Sequence, residues 1–283
     1  MDQDLANKTF IVTGANTGIG KITAHQLARR GAHVILACRS QPKTEVVMDE
    51  IRRDIPGAKV EYVSLDLGDL ASVRSCAAAL LARDLPIHGL VNNAGLGGGR
   101  GQTKDGFEIH FGTNHLGHYL FTRLLLDRII ASGPARIVNV SSASHYQAKG
   151  VDWDVLQKPT RSVTGMREYA VSKLSNVLFT KELARRLEGT QVTTYAVHPG
   201  VVATDVWRRL PNPLRWLVKR FMITPEQGAA SSVRCATDPA LATETGKYYT
   251  VGGHEKRPAR LADDTVLAGT LWTKSAEWTG LST

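Results

Sequence analysis

Cysteine is scarce in this chain of 283 residues. The three cysteines, Cys38, Cys76 and Cys235, are widely spaced, odd in number and without a CxxC pair. This pattern argues against a disulfide scaffold and against a zinc site. The histidines also lack metal-ligand spacing with carboxylate support, so we expect no bound metal.

Long apolar runs are missing too, and no stretch of the sequence is long enough to span a bilayer. The opening segment MDQDLANKTF is polar and acidic, unlike a secretory signal. We therefore expect a cytoplasmic protein. Apolar residues make up 42% of the chain and charged residues 22%, which is ordinary for a globular protein. The sequence has no repeat and no linker-like stretch, which favours a single domain over residues 1–283.

The formal net charge is +9, from 35 basic and 26 acidic residues. Such a balance is compatible with nucleic acid, an anionic membrane or a phosphorylated small molecule as the partner. The basic residues are scattered along the chain, however, and form no nucleic-acid-binding run. We therefore expect no nucleic-acid partner.

Short β-branched runs alternate with longer amphipathic stretches along most of the chain. This alternation predicts βαβ units, and hence an α/β fold with a doubly wound parallel sheet of the Rossmann type. The predicted strands are residues 9–12, 33–37, 60–65, 89–91, 136–140 and 192–197. The predicted helices lie near residues 19–30, 44–53, 71–83, 107–131 and 169–187.

The first predicted strand runs directly into the glycine-rich turn TGANTGIG. In such a turn Gly14 permits the tight bend, Gly18 lets the backbone approach a pyrophosphate, and Gly20 allows close packing of helix on strand. The helix that follows offers free N–H groups to phosphate oxygens. A glycine pattern between a strand and a helix predicts a dinucleotide site.

The end of the second strand indicates which dinucleotide binds. An NAD site would place a carboxylate there for the ribose hydroxyls. This sequence has Cys38 and Arg39 instead, and Arg39 can offer a fork of donors to a 2′-phosphate. The sequence therefore predicts NADP(H).

Two later strands add candidate cofactor contacts. Asp66 follows the third strand, where it could bond the adenine edge or cap the next helix. NNAG, which ends at Gly95 after the fourth strand, can bring backbone close to the cofactor. The glycine-rich run at residues 95–101 is interpreted as a flexible crossover, because no strand leads into its later glycines.

The motif YAVSK places Tyr169 and Lys173 four residues apart, on one face of a helix. A phenol has an ordinary pKa of about 10 and is a poor acid-base catalyst near neutral pH. A nearby ammonium and the positive ring of an oxidised nicotinamide would lower that pKa. Tyr169 could then accept the proton of an alcohol or donate one to a carbonyl.

Other polar residues are predicted to meet this pair at the carboxyl edge of the sheet. Ser141, Ser142 and Ser144 follow the fifth strand, and Asn114 lies within a predicted helix. HPGVVATDV follows the sixth strand. His115, His118 and His145 also lie in these segments, where we expect packing or hydrogen bonding.

Together, TGANTGIG, NNAG, Asn114, the serines, YAVSK and HPG resemble the short-chain dehydrogenase/reductase superfamily, in the family's order. The resemblance implies that Tyr169 is the general acid/base, Ser142 orients the substrate oxygen and Asn114 supports a water in the proton relay. Lys173 would bind the nicotinamide ribose and lower the pKa of the tyrosine. The implied cofactor-binding residues are Gly14, Asn16, Thr17, Gly18, Ile19, Gly20, Arg39, Asp66, Leu67, Asn93, Ala94, Gly95, Tyr169, Lys173, Pro199, Gly200, Val202 and Thr204.

The segment between Ser142 and Tyr169 is longer than in compact members of the superfamily, so Ser144 stays an alternative for the serine role. This insertion, with ACRS, TNHLGHYLFT and TTYAVHPGVV, resembles the retinol dehydrogenase-like branch. Many proteins of that branch act on retinoids or other lipophilic aldehydes and ketones with NADP(H). The resemblance thus implies a lipophilic alcohol, aldehyde or ketone as substrate and leaves a homodimer open.

Residues 205–223 mix aromatic and basic side chains after the sixth strand. We interpret them first as a substrate lid, since such segments border the ligand crevice of an open α/β sheet. Peripheral membrane contact is the next interpretation, followed by a solvated surface element or a subunit contact. Two other functions remain as alternatives. One is reduction of a carbon–carbon double bond, as in protochlorophyllide reductases, and the other is a cofactor-binding scaffold without turnover.

Overall fold

A computed structural model describes residues 3–200 and 223–283. Its central feature is a seven-stranded sheet in the order β3-β2-β1-β4-β5-β6-β7. All neighbouring strands run parallel. The strands are β1 (Thr9–Thr13), β2 (His33–Cys38), β3 (Val60–Ser64), β4 (Gly89–Asn92), β5 (Ala135–Val140), β6 (Val192–Val197) and β7 (Lys247–Tyr249).

Helices connect the strands and cover both faces of the sheet. They are α1 (Gly18–Arg29), α2 (Gln41–Asp54), α3 (Leu70–Leu81), α4 (Gly117–Ala131), α5 (Met166–Arg186), α6 (Pro225–Thr237) and α7 (Thr265–Trp278). A π-helical segment, Phe111–Leu116, leads into α4. Short 3₁₀ turns lie at Ala143–Gln147, Trp153–Val155, Pro239–Leu241, Val251–Gly253 and Arg260–Asp263.

Alternate residues of the central strands enter two separate layers of the core, as the period of a strand requires. Val12, Leu36 and Val91 belong to the layer that also contains buried residues of α1, α2 and α6. Ile11 and Leu90 belong to the opposite layer, under α3, α4, α5 and α7. Because both faces are covered, the central strands β1, β2 and β4 are buried along nearly their whole length.

The strand order places β1 and β4 side by side, and the chain winds away from this pair in both directions. A crevice opens at the carboxyl ends of the strands where the winding direction changes. The glycine turn follows β1, NNAG follows β4 and the serines follow β5. The topology therefore brings the predicted site residues to one edge.

The predicted doubly wound parallel sheet is confirmed, and all six predicted strands are present with small shifts in their ends. Strand β7 and helices α6 and α7 were not predicted. The helix predicted from residue 107 begins only after residue 108, because residue 108 pairs with Gln102 in an isolated antiparallel bridge. Of the predicted lid, residues 205–222 lie outside the described part of the chain. Within the described residues, no helix is long and apolar enough to cross a membrane.

Candidate active site

The turn between β1 and α1 is shaped by close contact with the NNAG segment. Gly14 has φ +64°, and a Cβ placed on it would lie 2.9 Å from both Cα and Cβ of Ala94. A Cβ on Gly20 would lie 2.4 Å from the side-chain nitrogen of Asn93. Only glycine fits at either position. The two glycines therefore let the turn pack directly against the NNAG segment.

Thr13 and Asn93 fix this turn in place. The hydroxyl oxygen of Thr13 accepts the main-chain N–H groups of Asn93 and Ala94, each at 2.9 Å. The side-chain amide of Asn93 donates to the carbonyl of Thr13 at 2.8 Å. The Asn93 side chain thus holds the turn, while Thr17, at the N-terminus of α1, makes no side-chain cap with the described residues. The first N–H groups of α1 consequently stay available to an anion.

The end of β2 presents one buried and one exposed side chain. The buried thiol of Cys38 accepts backbone hydrogen bonds from the glycine turn, and burial raises its pKa. Arg39 is exposed, and no hydrogen bond or ion pair joins it to another residue in the ranges 3–200 and 223–283. A free guanidinium beside a glycine turn suits a phosphate. These residues fit the adenosine half of a nicotinamide dinucleotide.

Asp66 does not cap the following helix, which corrects one of the two predicted roles. Asp69 is the N-cap of α3, and its carboxylate accepts the N–H groups of Ala71 and Ser72 at 3.0 and 3.2 Å. Asp66 accepts the N–H of Gly68 at 3.0 Å instead. Its neighbour Leu67 is buried in the core. Asp66 therefore remains the candidate for an adenine contact.

Asn114 is fully buried in the π-helical segment. Its side-chain oxygen accepts the N–H of Leu96 at 2.9 Å, and its nitrogen donates to the carbonyl of Leu96 and the hydroxyl of Ser172, both at 3.0 Å. Ser172 in turn donates to the carbonyl of Tyr169 at 2.8 Å. The amide of Asn114 thus joins the segment after β4 to the helix that carries the tyrosine.

The histidines near Asn114 make hydrogen bonds within the core, as expected. His118 Nδ1 donates to the carbonyl of Asn114 at 2.9 Å, and its Nε2 lies 2.9 Å from the Thr13 hydroxyl. Burial lowers the pKa of His118 to about 4. The neutral ring links the glycine turn to Asn114. His115 is also neutral, because burial lowers its pKa to about 3.

The three serines after β5 have different environments. Ser141 is buried and donates to the carbonyl of Lys173 at 2.7 Å, which ties α5 to the sheet. The hydroxyl of Ser142 interacts with the phenol of Tyr169 and lowers the pKa of that phenol. It also accepts the N–H of Ser144 at 3.2 Å. Ser142 and Ser144 were alternatives for the serine that orients the substrate oxygen, and of the two it is Ser142 that interacts with Tyr169.

Lys173 is almost completely buried. Its ammonium donates to the carbonyl of Val140 at 2.9 Å and lies 5.7 Å from the centre of the Tyr169 ring. Burial lowers its pKa to about 8. A Cβ on Gly95 would lie 3.4 Å from this ammonium and 3.2 Å from the oxygen of Asn114. Gly95, Asn114, Tyr169 and Lys173 therefore share one small space.

The pKa of Tyr169 departs from its ordinary value in the direction opposite to the one expected. Burial raises it, and the hydrogen bond with Ser142 only partly offsets that effect. The sequence analysis expected Lys173 and an oxidised nicotinamide to lower it. In the protein alone the lysine does not overcome the desolvation of the phenol. Tyr169 is therefore held in its protonated form at neutral pH.

Sequence reasoning missed one group at this site. The ring of His110 meets the ring of Tyr169 edge-on, with 6.2 Å between centroids. His110 and its partner Glu108 are buried, although both were interpreted as part of an ordinary helix. The only local signal is the pattern FEIHF, in which two aromatic residues enclose the polar pair.

The last predicted cofactor contacts follow β6. Pro199 is buried, and the N–H of Gly200 donates to His198 Nδ1 at 3.3 Å. The N–H of His198 bonds the carbonyl of Tyr249 at 2.8 Å, so this turn is anchored beside β7. Val202 and Thr204 lie outside the described residues. Among the described residues, no group of three His, Cys, Asp or Glu side chains could hold a metal.

Comparison with known proteins identifies the family. A family model described as short chain dehydrogenase matches residues 8–153. The chain is 44% identical over 289 residues to retinol dehydrogenase 13 of Homo sapiens, covering 98% of this chain and 86% of that relative. It is 45% identical over 280 residues to retinol dehydrogenase 12 of Homo sapiens, covering 98% and 88%. The chain belongs to the short-chain dehydrogenase family and is similar to retinol dehydrogenases.

Solved structures show the same fold. A structure of an uncharacterized protein from Mycobacterium Paratuberculosis has a TM-score of 0.78 and 32% identity, covering 100% of this chain and 98% of that one. A protein named as an NAD(P) dependent gluconate 5-dehydrogenase from Beutenbergia cavernae, with bound NADP at low occupancy, has a TM-score of 0.73 and 29% identity. That alignment covers 88% of this chain and 96% of the gluconate 5-dehydrogenase chain. The chain is thus an oxidoreductase of the alcohol and carbonyl class that uses a nicotinamide cofactor.

Proposed function

We propose that the protein transfers a hydride between NADP(H) and a lipophilic alcohol, aldehyde or ketone. The single observation that carries the proposal is the buried Lys173 ammonium, which lies 5.7 Å from the centre of the Tyr169 ring. A tunable acid, a second hydroxyl and a cation meet there at the carboxyl edge of the sheet. This arrangement suits the protonation of a developing alkoxide.

Arg39 supports NADP(H) rather than NAD(H). Its guanidinium is exposed and unengaged among the described residues, and the sequence has no carboxylate at the end of β2. The glycine turn and the uncapped start of α1 would hold the pyrophosphate. When bound, the cofactor supplies or accepts the hydride.

The side chains of the protein supply the proton and the orientation. Tyr169 donates its phenolic proton to the carbonyl oxygen during reduction, and accepts one from the alcohol during oxidation. Ser142 donates a hydrogen bond to the same oxygen and holds it within reach of the phenol. Lys173 places a positive charge near the phenolate that remains after reduction. Burial raises the pKa of Tyr169, so the phenol carries its proton at neutral pH, which is the form that reduction requires.

The role of Asn114 follows from its bonds. Both N–H groups of its side-chain amide are used by Leu96 and Ser172, so any water that it supports must donate to an oxygen of Asn114, and its main-chain carbonyl is one such acceptor. That carbonyl already accepts from His118 and retains a second lone pair. We infer that Asn114 acts mainly by holding the backbone that surrounds Lys173.

The relatives support the substrate class. Their names refer to retinol, a lipophilic alcohol, and their similarity extends over nearly the whole of this chain. We therefore propose a lipophilic carbonyl as the substrate in reduction.

The proposal is tested with purified protein, a panel of aldehydes and ketones that includes all-trans-retinal and decanal, and both NADPH and NADH. We expect reduction with NADPH. The variant Tyr169→Phe should lower kcat by about 10²–10⁴-fold, the usual contribution of a general acid. It should bind NADPH as the wild type does, measured by fluorescence titration. Undiminished turnover in this variant would contradict the assignment of Tyr169.

A further inference from the structure

A buried polar cluster, formed by Glu108, His110 and Thr160, lies beside Tyr169. Each of the three residues is at most 1% exposed. One carboxylate oxygen of Glu108 lies 2.8 Å from His110 Nδ1 and accepts the hydroxyl of Thr160. The other oxygen accepts the main-chain N–H groups of His110 and Phe111, both at 2.8 Å. The carboxylate is therefore completely surrounded by hydrogen-bond partners.

The hydrogen bonds define the protons of this cluster. His110 Nε2 lies 3.3 Å from the carbonyl oxygen of Gly98, which can only accept, so we assign a hydrogen to Nε2. A single proton is then shared between Nδ1 and the carboxyl of Glu108.

The cluster joins two segments that are far apart in sequence. Thr160 donates its N–H to the carbonyl of Gly101 and accepts the N–H of Gly101 on its hydroxyl, both at 3.1 Å. The N–H of Gly99 donates to the carbonyl of Thr164 at 3.1 Å. The glycine-rich run was interpreted above as a flexible crossover. It is instead anchored at its later glycines to the insertion that precedes α5.

The same cluster lies against the start of α5. The N-cap of this helix is Gly165, with φ +72°. A Cβ on it would lie 2.1 Å from the carbonyl oxygen of Gly99 and 2.6 Å from the ring of His110. The N–H of Tyr169 bonds the carbonyl of Gly165 at 2.9 Å, and the Tyr169 ring meets His110 edge-on. The position of the phenol is therefore set from two sides.

We propose that Glu108 and His110, with Thr160, are positioning residues that hold Tyr169 and the insertion before it against the glycine-rich run. The inference rests on the proposed function of Tyr169 for its effect on turnover. Displacement of a catalytic group by about 1 Å can cost about 10²-fold in rate. Loss of the cluster should therefore act on kcat, while the glycine turn and Arg39 still bind the cofactor.

The matched variants are Glu108→Gln and Glu108→Ala. A glutamine can accept the two N–H groups on its oxygen and donate from its nitrogen to His110 and Thr160, so every bond of the cluster survives. Alanine leaves those groups unpaired. Thr160→Val is a milder disruption, which decides the matter if the alanine variant does not fold. Each variant is measured for kcat and KM with NADPH and decanal, NADPH affinity, and amide hydrogen exchange of residues 97–101 and 158–169.

We expect Glu108→Ala to lower kcat by about 10–100-fold, where kcat is calculated from the concentration of protein that binds NADPH. Thr160→Val should lower it less. Both should accelerate exchange in the two segments at unchanged NADPH affinity, whereas Glu108→Gln should keep the wild-type values. Wild-type kcat and exchange in both disruptive variants would overturn the proposal. A loss in Glu108→Gln as large as in Glu108→Ala would also overturn it, because the charge and not the positioning would then matter.

Tyr169→Phe separates this proposal from the proposed function. If Tyr169 is not the general acid, that variant keeps its turnover whatever the Glu108 variants do. The exchange measurement does not depend on turnover, so it still decides whether the cluster anchors the two segments. Faster exchange confined to Glu108→Ala and Thr160→Val supports the anchoring, and unchanged exchange refutes it.

Discussion

The two halves of the site differ in how their polar groups are used. In the cofactor half, at the ends of β1 and β2, Arg39 is exposed and unengaged among the described residues, and the start of α1 has no side-chain cap there. In the catalytic half, at the ends of β4 and β5, Asn114 and Lys173 are buried and hydrogen-bonded to protein groups. The cofactor half leaves hydrogen-bond donors available to a ligand, whereas the donors of the catalytic half already bond other groups of the protein.

This difference matches two different tasks. A dinucleotide must bind and leave, so its donors have to be accessible and its contacts have to be made by the ligand itself. Proton transfer needs groups that are already in position when the substrate arrives. We therefore expect changes in the catalytic half to affect turnover, and changes in the cofactor half to affect affinity.

The sharpest test of the catalytic half is Lys173→Met. We expect kcat to fall by about 10²–10³-fold, because the charge beside the phenolate is lost. The burial of Lys173 lowers its pKa from 10.5 to about 8, so the charged lysine destabilises the folded state. Removing it should stabilise the fold by about 1–2 kcal/mol at pH 7, after allowance for the lost hydrogen bond. Val140 keeps the amide of Asn176 as a donor.

The pH dependence of that stabilisation checks its cause. The unfolded chain binds the proton of Lys173 more tightly than the folded chain does. The wild type therefore gains stability as pH rises from about 8 to 10.5, and the advantage of the methionine variant shrinks over that range. Thermal unfolding of both proteins at several pH values measures this. Lys181→Met, on the same helix but paired with Asp263 outside the site, is the control and should leave kcat unchanged.

The serine pair offers the next largest effect. Ser142→Ala should lower kcat by about 10²-fold, because Ser142 bonds the phenol and is placed to bond the substrate oxygen. Ser144→Ala should change kcat by less than about threefold, since Ser144 contacts Ser142 rather than Tyr169. Steady-state kinetics with one aldehyde decides between them. Equal losses in the two variants would leave the serine role unassigned.

A change in the cofactor half should act on a different quantity. Arg39→Asp should weaken NADPH binding by about 10–100-fold and improve binding of NADH, because a charge-assisted fork is replaced by a carboxylate. The kcat with saturating cofactor should change little. Arg53→Asp makes the same change in net charge at the end of α2 and serves as control. If Arg39→Asp still preferred NADPH to NADH, Arg39 would not be the ligand of the 2′-phosphate.

The smallest effects distinguish Asp66 from Asp69. Asp69→Ala removes the cap of α3 and should cost about 1 kcal/mol, or about 2–4 °C in Tm, at unchanged turnover. Asp66→Ala should instead raise the KM for NADPH severalfold. Thermal melts and cofactor titrations of both variants test this. If both variants raised the KM for NADPH equally, the two carboxylates would not have separate roles.

Much of this architecture was accessible from the sequence, because its signals are local. Most of the six predicted strands are buried, β-branched runs, although β3 has only one buried residue. The glycine turn, NNAG and YAVSK each have a backbone or side-chain requirement visible within a few residues. The strand Lys247–Tyr249 has only three residues and is recognisable only through its pairing with β6. The helix Thr265–Trp278 has an N-cap at Asp264, but its apolar face is defined by distant partners.

The cluster beside Tyr169 could not be derived in this way. Glu108 is satisfied by Thr160, which lies 52 positions further along the chain. Its polar pattern before an apolar stretch is typical of a solvated first helical turn. The raised pKa of Tyr169 was likewise unpredictable, because it depends on how much water the folded site excludes around the phenol.

The π-helical segment Phe111–Leu116 also limits how the chain can change in length. A π turn contains one residue more than an α turn over the same rise, and such turns commonly arise as insertions into α-helices. Deleting one residue there would restore the α-helical repeat and rotate the preceding side chains by about 100° relative to α4. The side chain of Asn114 would then lose its two hydrogen bonds with the backbone of Leu96. The loop at residues 148–152 could instead be shortened without such a rotation. Deletion scanning should therefore find this helix far less tolerant than that loop, although both lie close to the site.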